Sequence, residues 1–492
     1  MSESTVLIIL ISYFAALIAL SFYTARNANN DSFFLANKSS KWYLVSFGMI
    51  GASISGVTFI SVPGEVSTKS FAYLQLVFGY LAGYIVVAFV LMPIYYRLNV
   101  TSIYTYLLQR FGKISHKTGA SIFMVARLLG SSARILLVAM VLQNFIFSHY
   151  NMRFEVSLLI SIFMIWVCTY KGGMKTIVIT DTFQTIFLVG AVILSVIAII
   201  QQLPEGVAFN GLHNDKEYTK TFFFDNFYAP NHFVKMFLGG MFVTIGMTGL
   251  DQDLMQKNLT CKNIKEAQKN MITFSVVLVA INVLFLLLGA VLFTFAEYKG
   301  VKLPTNPETG AHIADQVYPT LAFGPYLTGA AALFFILGLT ASSYASADSA
   351  LTALTTSTCV DFININRFEE QKRERIRKMV HIIMAIAVYI TVYILYLTST
   401  TSAIYLVIKL AGYTYGPLIG LFMYGIFTKR KTNEILVPFI CVFSATASYF
   451  LSYFASLNKE GYQFGFEIIV VNAFITFTLL YFTGKKSAVE VN

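Results

Sequence analysis

Long blocks of hydrophobic residues alternate with short polar segments along the whole chain. A block of about 20 apolar residues is long enough to cross a bilayer as a helix. We therefore predict an all-α polytopic membrane protein in which residues 1–492 form a single transmembrane domain. The pattern predicts 13 spans, near residues 5–25, 42–63, 70–96, 118–149, 154–170, 176–203, 232–256, 268–296, 323–360, 377–398, 402–428, 434–456 and 464–484.

Glycine and proline interrupt two of these spans, the second and the seventh, at matching positions. Each interrupted span opens a block of five spans, and an odd number of spans inverts the second block relative to the first. Paired broken helices of this kind are typical of the binding sites of secondary transporters. The predicted parts are an extra N-terminal helix at 5–25, two five-helix repeats at 42–203 and 232–428, and two C-terminal helices at 434–484.

The amino-acid composition supports a membrane protein and argues against a nucleic-acid-binding or disulfide-rich protein. Hydrophobic residues make up 57% of the chain and charged residues 12%, about half the charged share of soluble proteins. The net charge of +11 comes from basic residues in short loops, so we predict no nucleic-acid partner. The four cysteines lack the spacing of a disulfide framework or a metal site. We interpret the first apolar run, Val6 to Tyr23, as a retained span rather than a signal peptide.

The basic residues predict the orientation of the chain in the membrane. The connections after the odd-numbered spans hold 24 of the 35 Lys and Arg residues, and the opposite side holds eight. The positive-inside rule then places the N-terminus outside and the C-terminus in the cytoplasm. We expect the protein in the plasma membrane, which in a bacterium is the inner membrane.

Hydroxyl side chains concentrate in the ninth span, where nine Ser or Thr residues occur from Thr340 to Ser357. On a helix, Ser342, Ser346 and Ser349 lie within a narrow arc and form a hydroxyl stripe. Hydroxyl and carbonyl oxygens suit a hard cation such as Na⁺. The alternative is that small and hydroxyl side chains let membrane helices pack closely.

Charged residues also occur within the predicted spans, where they are costly and face a cavity or a partner. On a helix, the side chains of Arg127 and Arg134 point in directions that are only about 20° apart around the axis. Because arginine binds carboxylates with two N–H groups, the pair favours an organic anion as substrate. Ion pairs with Asp251 or Asp348 are the alternative. The full set is Arg127, Arg134, Asp181, Asp251, Asp253, Asp348 and Lys409.

Six stretches carry more specific motifs: SGVTFISVPGEV (55–66), LNVTSIYTYLLQRFG (98–112), YKGGMKTIVITDTFQ (170–184), GLDQDLMQKNLTCKNIKEAQKN (249–270), SSYASADSALTAL (342–354) and AGYTYGPLIGLF (411–422). In order and spacing they resemble the sodium:solute symporter family, which includes sodium-coupled glucose, proline, sialic acid and monocarboxylate or multivitamin transporters. Among these, the branch of monocarboxylate and multivitamin transporters is the one that the motifs resemble most. The resemblance implies the inverted-repeat fold of LeuT-type transporters, and alternating access driven by the sodium gradient.

The resemblance also implies sodium sites. The first would use the backbone carbonyls of Gly51, Ile54 and Leu339 and the hydroxyls of Ser342 and Ser343. A second would combine Asp181 with Ser342 and Ser346. Ala345 stands where members with this second site tend to have Ser, and the alternative role for Asp181 is structural.

For the substrate, the resemblance implies a site between the two broken helices. Matching positions are Ser55 and Thr58 on the first, and Asp251 and Gln252 on the second. We predict an organic anion, a monocarboxylate or a sugar acid such as sialic acid, with a neutral sugar or polyol as the alternative. Phe59 and Tyr415 are candidate gates, with core packing as the other interpretation.

Other functional classes fit the sequence less well. It shows no nucleophile–base spacing, so we predict no enzyme, and it has no nucleotide-binding loop for a pump. A sensor or a channel remains a weaker alternative. The expected partners are the small-molecule substrate, the sodium ion and the lipid bilayer, with no protein partner predicted.

Overall fold

The protein is described by a computed structural model that covers residues 3–26, 29–207, 218–307, 310–327, 329–398, 403–458 and 461–485. Within these residues the elements are helices, and extended pairing is confined to three isolated bridges. The α-helices are α1 Glu3–Thr24, α2 Asn30–Leu35, α3 Trp42–Ser53, α4 Gly56–Lys69, α5 Tyr73–Val86, α6 Met92–Leu98, α7 Thr105–Arg110, α8 Lys113–Phe145, α9 Phe154–Thr169, α10 Met174–Ile200, α11 Phe233–Thr244, α12 Gln252–Leu259, α13 Ile264–Lys299, α14 Ala314–Phe323, α15 Gly329–Ser357, α16 Glu370–Thr398, α17 Ala403–Phe427, α18 Val437–Leu457 and α19 Ile468–Thr483.

Nine helices in the described part of the chain are long and apolar enough to cross a membrane, or up to 11 spans if each of two bent helix pairs counts as one. The bent pairs are α3 with α4, at 58°, and α11 with α12, at 63°. They coincide with the second and seventh predicted spans. Two shorter apolar helices, α9 and α19, coincide with the fifth and thirteenth. The chain is therefore an all-helical, multi-pass membrane protein.

Small residues allow the helices of the interior to approach closely. A Cβ atom on Gly79 of α5 would lie 3.0 Å from the Cα of Gly240 on α11, and one on Gly240 would lie 2.2 Å from the Leu76 carbonyl oxygen. A larger residue at either position would force the two helices apart. Membrane helices are held together by van der Waals packing of this kind, because lipid provides no hydrophobic drive for their association.

Burial separates the core helices from those that face lipid. Every residue from Thr340 to Ser357 on α15 is buried. On α16, by contrast, Ile382, Ile386, Ile390 and Ile394 are exposed at every fourth position, which is one face of a helix. The hydroxyl-rich helix therefore lies inside the bundle, whereas α16 presents an apolar face to the bilayer.

One segment predicted as a loop contains a helix. Within residues 297–322 the sequence predicts a connection, but α14 begins at Ala314 and packs on α4. The Ser61 hydroxyl donates to the Asp315 carboxylate at 2.5 Å, and Gly64 leaves room for the Ala314 carbonyl. This helix is short and amphipathic, so it carries no long apolar run by which hydropathy would reveal it.

Candidate transport site

Both helix breaks leave backbone groups outside the helical hydrogen-bond pattern. At the first break, the Ser55 N–H donates to the Ser53 carbonyl at 3.0 Å instead of the Gly51 carbonyl that a continuous helix would offer. At the second break, the Asp251 carboxylate accepts the Asp253 N–H at 2.8 Å and caps α12. Backbone groups freed inside a membrane protein need a polar partner. The first break thus supplies a carbonyl where the sodium ligands are predicted.

The hydroxyl stripe of α15 packs against this first break. A Cβ atom on Gly56 would lie 3.4 Å from Ser342 Oγ, so Ser342 faces the start of α4. The Ser342 hydroxyl also donates to the Leu339 carbonyl at 2.8 Å. Ser342 and Ser343 are both buried. The fold therefore brings Ser342, one of the two predicted hydroxyl ligands, close to the first helix break.

The residues predicted for a second sodium ion have protein partners in this structure. The Lys257 ammonium donates to Asp181 Oδ2 at 2.5 Å, and both side chains are buried. Ser346 accepts a hydrogen bond from the Arg134 guanidinium at 3.3 Å. The sequence assigns Lys257 to a connection between spans, whereas the structure buries it in α12. Because Lys257 compensates Asp181, the charge of Asp181 alone does not require a bound cation.

A central cavity of about 100 Å³ lies between the two breaks. Ser55, Thr58, Arg127 and Arg134, four of the six predicted substrate residues, line it, as does Ile54. The cavity therefore brings together residues of α4 and α8 that are about 70 positions apart in the chain.

Further polar residues line this cavity that sequence reasoning did not select. The three tyrosines among them lie on α5, at spacings of seven and four residues, which places them on one helical face. That spacing is the signal by which they could have been found. The additional polar lining residues are Ser53, Tyr73, Tyr80, Tyr84, Thr244, Thr248 and Asn282.

The two arginines of α8 differ in their electrostatic partners. Arg127 forms ion pairs with Asp253 and, at 3.7 Å, with Asp251, and all three side chains are buried. Arg134 donates to Ser346 but has no carboxylate at ion-pair distance among the described residues. Arg127 is therefore ion-paired within the protein, whereas Arg134 lines the cavity with no carboxylate at ion-pair distance among the described residues.

Asp251 and Gln252 are absent from the described lining of the central cavity. The Tyr415 hydroxyl donates to Asp251. The Gln252 side chain donates to the Thr101 carbonyl at 2.8 Å and accepts the Ile103 N–H at 3.0 Å. Both side chains thus tie the second break to neighbouring segments.

The two candidate gates lie in the packed interior. Phe59 is fully buried, with its ring centroid 6.0 Å from Phe285, 5.4 Å from Tyr318 and 5.8 Å from Phe335. Tyr415 is also buried, with its hydroxyl on Asp251. In this conformation the surroundings of both residues are those of core aromatic side chains.

A second, larger cavity of about 600 Å³ adjoins the central one. The two cavities share Tyr73, and the larger one is also lined by Glu65, Lys69 and Tyr413. Lys69 and Glu65 form an ion pair at 2.8 Å. Tyr73 therefore lines both the central cavity and this larger one, which we call the vestibule.

Among the relatives found by comparison with known proteins are sodium-coupled transporters of organic acids. The chain is 26% identical over 441 residues to the sodium/sialic acid symporter NanT of Aliivibrio fischeri, covering 87% of this chain and 84% of that protein. It is 24% identical over 477 residues to the sodium/sialic acid symporter SiaT of Proteus mirabilis, covering 91% and 90%. It is 26% identical over 419 residues to the sodium-coupled monocarboxylate transporter 1 of Xenopus laevis, covering 81% and 63%.

The fold has a solved counterpart as well. A substrate-bound, outward-open structure of a Na⁺-coupled sialic acid symporter matches with a TM-score of 0.80 at 20% identity, covering 98% of this chain and 99% of that one. The profile of the sodium:solute symporter family matches residues 33–434, a range that includes both helix breaks and the hydroxyl-rich helix. On the extent of that match, this chain belongs to the sodium:solute symporter family.

Proposed function

We propose that this protein couples the inward movement of Na⁺ to the uptake of a small organic anion by alternating access. The observation that carries the proposal is Arg134, a cavity-lining arginine with no carboxylate at ion-pair distance in the described part of the chain. A charge within a membrane span is costly unless it faces a cavity or a partner, and a substrate carboxylate in the cavity could accept two N–H groups from Arg134. Ser55 and Thr58 line the same cavity and would donate their hydroxyls to the carboxylate.

The volume of the central cavity limits the size of the organic acid that it can hold. At about 100 Å³ it is smaller than the roughly 300 Å³ at which sites for drug-sized ligands begin. A monocarboxylate fits such a space as it stands, whereas a sugar acid such as sialic acid requires it to widen, most simply towards the vestibule beyond Tyr73. The names of the relatives cover both classes of acid.

The sodium ion and the substrate would be coupled through the first helix break. The carbonyls of Gly51 and Ile54 precede the break, and Ser55 and Thr58 follow it within a few residues. A cation held between those carbonyls and the hydroxyls of Ser342 and Ser343 would fix the turn that presents Ser55 to the substrate. Binding of either ligand then favours the other by the same factor.

We assign only this first sodium site to the proposed mechanism. The predicted second site, at Asp181, Ser342 and Ser346, would need Lys257 to share or release Asp181. It stays a prediction that a count of bound sodium ions can test.

The proposal includes the membrane arrangement. The nine long helices, the two bent pairs and the two shorter apolar helices would make 13 crossings, with inverted five-helix repeats at 42–203 and 232–428. The basic residues favour an N-terminus outside and a C-terminus in the cytoplasm of the plasma membrane, the inner membrane in a bacterium.

The test is uptake into liposomes under an imposed sodium gradient, with a carboxylic acid and its amide compared in the wild type and in Arg134→Gln. We expect the variant to lose at least about tenfold in apparent affinity for the acid, since one charge-assisted interaction contributes about 1.5–3 kcal/mol. The amide should change little.

A neutral sugar or polyol is the second candidate substrate, supported by the tyrosine hydroxyls of Tyr73, Tyr80 and Tyr84 and the Asn282 amide along the cavity. If Arg134→Gln weakens uptake of the acid and the amide equally, the arginine does not bind a carboxylate and this alternative replaces the organic anion.

A further inference from the structure

A small cavity of about 10 Å³ lies behind the hydroxyl stripe, among helices α1, α9, α10 and α15. Its volume is about that of one water-sized sphere, enough for a single water molecule or a small ion. Several of its lining side chains carry oxygen atoms, although the site lies deep within the bundle. Those used here are Thr180, Gln184, Tyr344 and Asp348.

Two of these side chains have unsatisfied oxygen atoms. Asp348 is 5% exposed and Gln184 is 2% exposed. In the described part of the chain, Asp348 Oδ1 has no hydrogen-bond partner and Asp348 forms no ion pair, and Gln184 Oε1 is also unpaired although the Tyr13 hydroxyl lies beside the Gln184 side chain. Leaving buried polar groups without partners is unfavourable, and more so for a charge. Both residues therefore present unused acceptors to the same small space.

The neighbouring hydroxyl groups complete an oxygen-rich site. The Thr180 hydroxyl donates to the Thr176 and Ile177 carbonyls at 3.2 Å each, and the Tyr344 hydroxyl donates to the Ser161 carbonyl at 3.3 Å. Because each hydroxyl directs its proton towards a carbonyl, its lone pairs remain available as acceptors. Carboxylate, amide and hydroxyl oxygens favour a hard cation, and in this cavity they lie beside Cys168 and apolar side chains such as Leu17 and Ile177.

The charges around Asp348 are out of balance by one only when Asp348 itself is ionised. The charged groups that act on Asp348 are Asp181 and Lys257. The Lys257 ammonium is bonded to Asp181 Oδ2, so these three residues carry two negative charges and one positive charge when all are ionised. An uncompensated charge within a bilayer is rare and marks a functional position.

We propose that Asp348 and Gln184, with Thr180 and Tyr344, bind one Na⁺ ion at a site separate from Ser342 and Ser343. The ion would compensate an ionised Asp348 and contact the unpaired oxygens of Asp348 and Gln184. This inference rests on the proposed sodium-coupled function only in the choice of cation. It replaces Asp181 by Asp348 as the carboxylate of a second sodium site, because Lys257 already compensates Asp181.

The experiment counts bound ²²Na⁺ on the purified full-length protein without substrate, so it does not depend on transport. The wild type should bind two ions. Asp348→Asn should bind one, and Gln184→Met should retain both with about tenfold weaker affinity for one. Ser349→Ala is the matched control on the same helix, since its hydroxyl already donates to the Ala345 carbonyl at 2.8 Å, and it should behave as the wild type.

A complementary variant keeps the test valid if Asp348→Asn does not fold. Ser342→Ala with Ser343→Ala disables the first site, so its one remaining ion should bind about tenfold more weakly when Gln184→Met is added. Unchanged sodium binding in Asp348→Asn overturns the proposal, and a changed pH dependence of transport in that variant would then assign a proton to Asp348. Loss of sodium-driven uptake with Asp348-dependent binding intact would instead refute the proposed function alone.

Discussion

Replacing Arg127 with Gln should destabilise the protein far more than the same change at Arg134. Arg127 is 2% exposed, and its partners Asp251 and Asp253 are fully buried. Removing one member of a buried ion pair costs about 3–5 kcal/mol, because the other charge is left uncompensated. Arg134 has only the Ser346 hydroxyl as a hydrogen-bond partner among the described residues. A hydrogen bond between membrane helices averages about 0.6 kcal/mol.

The assay is unfolding in mixed micelles with increasing sodium dodecyl sulfate, followed by tryptophan fluorescence. We expect Arg127→Gln to lose about 3 kcal/mol or more of unfolding free energy, and Arg134→Gln to lose less than about 1 kcal/mol. Adding Asp253→Asn to Arg127→Gln should recover part of the loss, because it neutralises one of the two uncompensated carboxylates. Double-variant analysis isolates this coupling.

Two results would refute the reasoning. One is equal destabilisation by the two arginine variants, which would mean that the ion pairs of Arg127 contribute nothing beyond an ordinary polar contact. The other is a further loss of stability when Asp253→Asn is added, which would mean that Asp253 is not left uncompensated in Arg127→Gln. Either outcome would also remove the distinction on which the assignment of Arg134 to the substrate rests.

Other predictions concern sodium and topology. Ser342→Ala should raise the half-saturating sodium concentration for uptake by about tenfold, the equivalent of about 1.4 kcal/mol for one lost ligand, whereas Ser349→Ala should change it little; equal responses would return the hydroxyl stripe to a packing role. Cysteines introduced at the exposed positions Lys302 and Lys431 should react with an impermeant thiol reagent from opposite sides of the membrane, Lys302 from outside. The native cysteines are buried and should not react; labelling of both introduced cysteines from the same side would contradict the 13-span arrangement.

Hydropathy predicted the long membrane helices of this protein, and glycine and proline residues indicated the positions of both breaks. A membrane-crossing helix must satisfy its backbone internally and present apolar side chains to lipid, so its signal lies within about 20 consecutive residues. Local composition likewise revealed the hydroxyl-rich helix, and its helical spacing placed Ser342 and Ser346 on one face. Hydropathy did not predict the short helix α14, because this helix lacks a long run of apolar residues.

The partners of the charged residues were decided by the tertiary structure alone. The sequence offered Arg127 and Arg134 as equals, and only the fold shows that Asp251 and Asp253 approach Arg127. It also brings Lys257 to Asp181 across 76 positions of the chain, although the sequence assigns Lys257 to a connection. Hydropathy is a property of neighbouring residues, whereas an ion pair depends on the distance between helices that are remote in sequence. For that reason the sequence determined which residues enter the membrane, and the tertiary structure decided which of them remain available to a ligand.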